Sequence, residues 1–176
     1  MKKIKLFILF ILIIINSTNS IADEFNDWKI KFKKRAINEG ISKSTVNNLI
    51  DNTKFLPDVI KYDRYQPEFY EDTKTYILKR TSGKKVKLGK IILNRENNII
   101  NKVSSEFKVD KNLLLALMGI ETNFGNYLGK MDIVSSLATL SYDQRRSEFF
   151  TKELITLLKL VDTKIIDPST LFGSWA

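Results

Sequence analysis

The chain has 176 residues, 43% of them hydrophobic, which is enough for a real core but leaves no room for several domains. Its 29 Lys and Arg against 20 Asp and Glu give a formal net charge of +9, a balance that favours an anionic surface or polymer as partner. The absence of Cys and His excludes disulfides, thiol nucleophiles, thiolate or imidazole metal sites and any triad built on imidazole, so catalysis must rest on carboxylates, hydroxyls, Lys and Tyr.

Residues 1–22 read as a cleaved secretory signal: a basic start, an apolar run from Leu6 to Ile15, a polar stretch, and small residues at Ser20-Ile21-Ala22 where a signal peptidase reads. The apolar run is well short of the ~20 residues that span a bilayer. The expected product is a soluble protein outside the cytoplasm with no stable membrane anchor. Without Cys it cannot be a lipoprotein. Removing Lys2, Lys3 and Lys5 with the signal lowers the charge from +9 to +6. An extracytoplasmic location also demotes nucleic acid as the anionic partner.

From Asp23 onward the pattern is helical and no stretch alternates as a strand does. Phe25, Trp28, Ile30, Phe32 and Ala36 predict an amphipathic helix that stops at Gly40; Ser42 opens another that carries Val46, Leu49 and Ile50. Pro57 and Pro67 bracket a less regular segment that holds Tyr62, Tyr65, Tyr70 and Tyr76. Aromatic rings with polar tips suit sugar faces, and equally suit packing between helices. After Gly83 a long helix is predicted from about Lys85 to Phe107, with Val86, Ile91, Leu93, Ile100 and Val103 on its apolar positions.

The next helix runs from about Lys111 to Glu121 behind an Asp110 N-cap. At 3.6 residues per turn Glu121 shares a face with Leu114, Leu117 and Met118. A carboxyl placed among apolar side chains loses solvation of its charged form, which favours the protonated state a general acid needs. The alternative is an acid at a helix end turned to solvent. Farther on, Asp132 can cap a short helix with Val134, Leu137, Ala138 and Leu140. A helix from about Gln144 to Val161 then starts on Arg145-Arg146 and places Phe149, Phe150, Leu154, Leu157, Leu158 and Val161 inward. Asp167-Pro168 reads as an N-cap with a first-turn proline. No repeat or linker divides residues 23–176, which are read as one mainly α domain.

Four ordered stretches resemble the lytic murein transglycosylase B family: DRYQPEF at Asp63–Phe69, ALMGIETNFGNYLG at Ala116–Gly129, SSLATLSYDQRRSEFFTKEL at Ser135–Leu154, and GSWA at residues 173–176. The resemblance implies a lysozyme-like helical catalytic region in the periplasm. Its substrate would be peptidoglycan, cut at the β-1,4 bond between N-acetylmuramic acid and N-acetylglucosamine to leave a 1,6-anhydro end. It places the catalytic acid at Glu121 and matches Arg145 and Arg146 to positions lining the glycan and stem-peptide site. Ser174 matches a serine beside the acid, and Tyr76 a tyrosine near the cleft. In the family the GSWA stretch continues into glycine-rich and cleft-forming sequence, so this chain resembles the N-terminal part of a member. No D-x-D-x-D-G pattern occurs, and neither a metal nor another cofactor is expected. Ordinary glycosidases use two carboxylates. Here Asp132 and Asp143 read as helix-end residues and Glu148 and Glu153 as solvated. One carboxyl suffices if the substrate brings its own nucleophile. The second reading is a glycan-binding remnant without catalysis.

Overall fold

The computed structural model describes residues 20–174 and is almost entirely helical. Residues 1–19 of the expected signal and the last two residues of GSWA lie outside the described residues. Ser20 to Ala22 form the first turn of helix α1 (Ser20–Asn38). The described residues divide into two compact units: one takes in residues 20–62 together with 131–174, and the other is Asp63–Lys130.

In the first unit, α1 ends where Gly40 turns the chain through a φ of 88°, a left-handed value at which a side chain would be strained. Ser42 then caps α2 (Lys43–Ile50), its hydroxyl accepting from the Thr45 N–H. After an extended stretch, Pro57 starts α3 (Pro57–Arg64). The unit resumes with β1 (Met131–Asp132) and α9 (Ile133–Tyr142), which Asp132 caps through the Ser135 N–H. It closes with α10 (Ser147–Asp162), a 3₁₀ turn at Pro168–Thr170 and β2 (Phe172–Gly173). The two short strands pair antiparallel, Met131 with Gly173 and Asp132 with Phe172, a ribbon that no alternation in the sequence announces.

The core of this unit is a seam between α1, α2, α9 and α10. Phe25, Phe32, Ala36, Val46, Ile50, Ala138, Leu154 and Leu158 are buried there. At one end, Phe25 stacks on Trp28 at 5.4 Å, while Tyr142 meets Phe25 and Phe55 edge-on. The apolar surface removed from water in this seam is the main stabilising force. Buried hydroxyls on α9 add register: Ser135 Oγ accepts from the Lys54 N–H at 3.0 Å and Thr139 Oγ1 from the Leu56 N–H at 3.0 Å. The SSLATLSY stretch thus holds an extended segment that would otherwise bury unpaired amides. Polar contacts also tie α10 back to the start of the chain. Arg35 forms a bidentate pair with Glu148, at 2.7 and 2.9 Å. Asp162 accepts from the Ser42 and Thr45 hydroxyls and the Ser42 N–H.

The second unit carries α4 (Pro67–Tyr70), α5 (Thr73–Arg80), α6 (Gly83–Arg95), α7 (Asn97–Phe107) and α8 (Lys111–Thr122). Two sequence expectations change here. The segment between the prolines is helical in short pieces, because each proline occupies the first turn of a helix, where its missing N–H costs nothing. The long helix from Lys85 to Phe107 is broken at Glu96, whose φ of −103° and ψ of 21° end α6 and begin α7. Ile92 is buried instead of Ile91, and Ile92, Ile100 and Leu115 form the core of α6, α7 and α8 with Leu88, Leu93 and Phe124 against it. Ile30 and Phe149, expected inside, are exposed in the first unit.

Candidate active site

Helix α8 forms as its sequence predicts. The Asp110 carboxylate accepts from the Asn112 N–H at 2.8 Å and the Leu113 N–H at 3.0 Å, satisfying two of the donors that a helix start leaves open. The run LLLALMGIE follows without a β-branched residue until Ile120. Glu121 arrives in the last turn and is exposed. The expectation that its apolar neighbours are buried is not met. Leu117 is 49% and Met118 40% exposed, whereas Leu115 and Gly119 make the buried face of the helix. Helical spacing places these side chains together correctly, but which face meets the core depends on where α6 and α7 pack. The result is an acid on the exposed face of the helix with Leu117 and Met118, and Leu113, Ile120, Tyr127 and Leu128 are exposed as well.

The turn that follows Glu121 is the most constrained backbone in the unit. Asn123, Phe124 and Gly125 have consecutive φ values of 50°, 59° and 80°. Asn accepts this conformation readily and Gly freely, but for Phe it is a genuine outlier, costing about 1–2 kcal/mol. Several hydrogen bonds hold it. The Phe124 N–H bonds the Met118 carbonyl, the Gly125 N–H bonds Thr122 Oγ1 at 2.8 Å, and the Tyr127 N–H bonds the Thr122 carbonyl at 2.9 Å.

The ring of Phe124 supplies the other restraint, because it lies between two helix-interior glycines. A Cβ on Gly119 of α8 would stand 2.8 Å from Phe124 Cζ, and one on Gly89 of α6 would stand 3.1 Å from it. The turn is thus braced by an aromatic ring that packs closely on both glycines, most tightly on Gly119. Sequence reasoning does not single out Gly89, Gly119 or Phe124. The available signal is two glycines inside strong helical patterns, where each costs about 1 kcal/mol relative to Ala and usually has a packing reason.

Beside the wedge lies a cavity of about 260 Å³ in the same unit, walled by α5, α6 and α8. Arg80 contributes to its lining, and the Arg80 guanidinium lies over the Tyr76 ring at 4.8 Å. Tyr76, expected near a cleft, is therefore linked to this cavity through Arg80. Of the expected site residues, Glu121 and Tyr76 belong to this second unit; Arg145, Arg146 and Ser174 belong to the first.

Arg145 and Arg146 precede α10 instead of opening it, and Arg146 takes a left-handed φ of 57° as its N-cap without a capping side-chain bond. Its guanidinium lies 4.8 Å from the Phe150 ring centroid and 5.8 Å from that of Phe149. A cation at a helix N-terminus opposes the dipole. The ring faces supply the compensating attraction. Ser174 follows β2 at the surface. Glu148 is engaged by Arg35, and Asp132 and Asp143 are helix-end residues as expected. Among the described residues no cluster of three or more acidic, His or Cys side chains could hold a metal, and no helix is long and apolar enough to cross a membrane.

Residues 24–176 match the family described as Transglycosylase SLT domain. The chain is 34% identical over 92 residues to the membrane-bound lytic murein transglycosylase B of Escherichia coli K12, an alignment covering 52% of this chain and 26% of that protein. Its fold superposes on the crystal structure of SltB3 from Pseudomonas aeruginosa in complex with NAG-anhNAM-pentapeptide. The TM-score is 0.75 with 30% identity, over 86% of this chain and 40% of that one. The Escherichia coli lytic transglycosylase Slt35 in complex with bulgecin A gives a TM-score of 0.72 at 25% identity, over 85% of this chain and 48% of that one. The chain thus spans about a quarter of the curated relative and less than half of these two solved chains.

Proposed function

The chain belongs to the transglycosylase SLT family, and from that premise we propose that it is a peptidoglycan lytic transglycosylase acting in the periplasm through Glu121 alone. The observation that carries this reading is the delivery of Glu121, in a chain without His or Cys, to the exposed last turn of a capped helix. The turn immediately after it is braced by the Phe124 ring and by hydrogen bonds from the Phe124, Gly125 and Tyr127 N–H groups. This bracing supports the reading, because a reacting acid must be held still relative to its substrate.

In the proposed reaction, protonated Glu121 donates to the glycosidic oxygen as the bond from C1 of N-acetylmuramic acid breaks. The neighbouring N-acetyl group shields the cationic centre. The Glu121 carboxylate then takes the proton from the C6 hydroxyl of the same sugar as that oxygen bonds to C1. One side chain serves as acid and then as base, and no water is consumed. Support for the anhydro product comes from the SltB3 structure, which holds a NAG-anhNAM-pentapeptide. Arg145 and Arg146 are proposed to meet stem-peptide carboxylates, and Ser174 and Tyr76 the glycan. No metal or other cofactor enters the reaction.

The test is digestion of purified murein sacculi with mass spectrometry of the released fragments. Anhydro-muropeptides released by the wild type and absent with Glu121→Gln support the proposal; reducing-end products would mean that water attacks instead. A second reading is a glycan-binding remnant without catalysis. It is favoured by one observation: the apolar side chains around Glu121 are open to solvent, where a working acid is enclosed. Binding to sacculi without any release by the folded wild type would select it.

A further inference from the structure

The cavity between α6 and α8 has no part in the reaction proposed for Glu121. Its volume of about 260 Å³ is far above the ~10–15 Å³ that a single water needs and leaves room for a small organic molecule. Its interior is apolar, with Leu93, Leu115 and Phe124 among the walls. The charged residues that line it are Arg80, Lys85 and Lys90, all basic, and no carboxylate faces them. Arg80 is committed to the Tyr76 ring. Lys85, half-buried, and Lys90, exposed, form no ion pair among the described residues. A carboxylate at the mouth of the cavity would meet both ammonium groups without a competing acidic partner.

We propose that this cavity binds a small aliphatic carboxylate, the tail lying against Leu93, Leu115 and Phe124 and the carboxylate pairing with Lys85 and Lys90. The match is one of volume, polarity and charge together. Binding does not depend on the activity of Glu121, so the site can be tested whether or not the chain cleaves murein.

Octanoate titrated into the full chain by isothermal titration calorimetry is the test, with octylammonium as a probe of the same tail and opposite charge. One saturable octanoate site is expected, with octylammonium at least about tenfold weaker. Changing Lys85→Glu and Lys90→Glu together is expected to weaken octanoate by at least about tenfold. Ala116→Phe, from an exposed lining position on α8, should fill the cavity and abolish binding. Thermal unfolding checks that each variant is folded; should Ala116→Phe not fold, the lysine pair carries the test. The proposal is overturned if the folded wild type shows no saturable octanoate binding, or if the two amphiphiles bind equally. It is also overturned if neither folded variant changes the affinity, or if the chain binds phosphatidylglycerol vesicles but not octanoate.

Discussion

Replacing Gly119 by Ala tests the aromatic wedge most directly, because two effects of opposite sign compete at that position. In the middle of a helix Ala is preferred over Gly by about 0.5–1 kcal/mol, so propensity alone predicts a stabler protein. The new Cβ, however, would stand 2.8 Å from Phe124 Cζ and 3.2 Å from both Cε atoms, well inside normal contact. On the α6 side the ring already packs close to Gly89, whose ideal Cβ position lies 3.1 Å from Cζ, so yielding in that direction brings the ring onto the α6 backbone. Overpacking of this kind costs about 1–3 kcal/mol. The net expectation is destabilisation of about 1 kcal/mol, measured by urea unfolding followed by circular dichroism. In a Phe124→Ala background the clash is gone, and the same Gly119→Ala change should stabilise by about 0.5–1 kcal/mol. The double-mutant cycle should therefore report a coupling of about 2 kcal/mol. If Gly119→Ala stabilises the wild type as much as it stabilises Phe124→Ala, the ring is not wedged and the account of the Glu121 turn is wrong.

Other expectations follow from the same structure. Asp110→Ala removes the acceptor for two N–H groups at the start of α8 and should cost about 1 kcal/mol in urea unfolding; an unchanged midpoint would mean that water caps the helix equally well. The Ser42 hydroxyl, followed by the Thr45 hydroxyl and the Ser42 N–H, holds the Asp162 carboxylate below its usual range. A carboxylate depressed in the folded state contributes stability that is fully present above its unfolded pKa of about 3.9 and lost as pH falls through the lower folded value. Asp162→Asn should therefore flatten the acid limb of a stability-versus-pH curve without changing its slope near neutrality. A limb of the same steepness would assign the acid sensitivity elsewhere. Changing Arg145 and Arg146 together to Ala should weaken binding to peptide-bearing glycan more than to bare glycan in a pull-down with defined murein fragments. Equal loss on both would leave Arg146 as a lid on Phe150 and no more.

Much of the chain is legible from local chemistry. Asp110, Asp132 and Asp167 cap the helices or turns predicted for them, and Gly40 turns the chain where the first helix is expected to stop. These signals are legible because each depends on atoms within a few residues of one another. The broken helix at Glu96 is not legible in that way. Nothing in LNRENNII forbids a continuous helix, and only the packing of Ile92 and Ile100 around Leu115 requires the turn.

The candidate site divides along the same line. Sequence by itself determined that Glu121 ends an apolar helix, that no His or Cys is available to share its work, and that its surroundings resemble a transglycosylase family. Tertiary structure alone decided which face of that helix is buried, leaving Leu117 and Met118 with Glu121 on the open side and Leu115 and Gly119 against α6 and α7. It also decided that Phe124 should hold a left-handed turn by lying between Gly89 and Gly119, residues 30 positions apart. Periodicity specifies which side chains share a face. The choice of the face that meets the core is a long-range property, set by the packing partners that lie elsewhere in the chain.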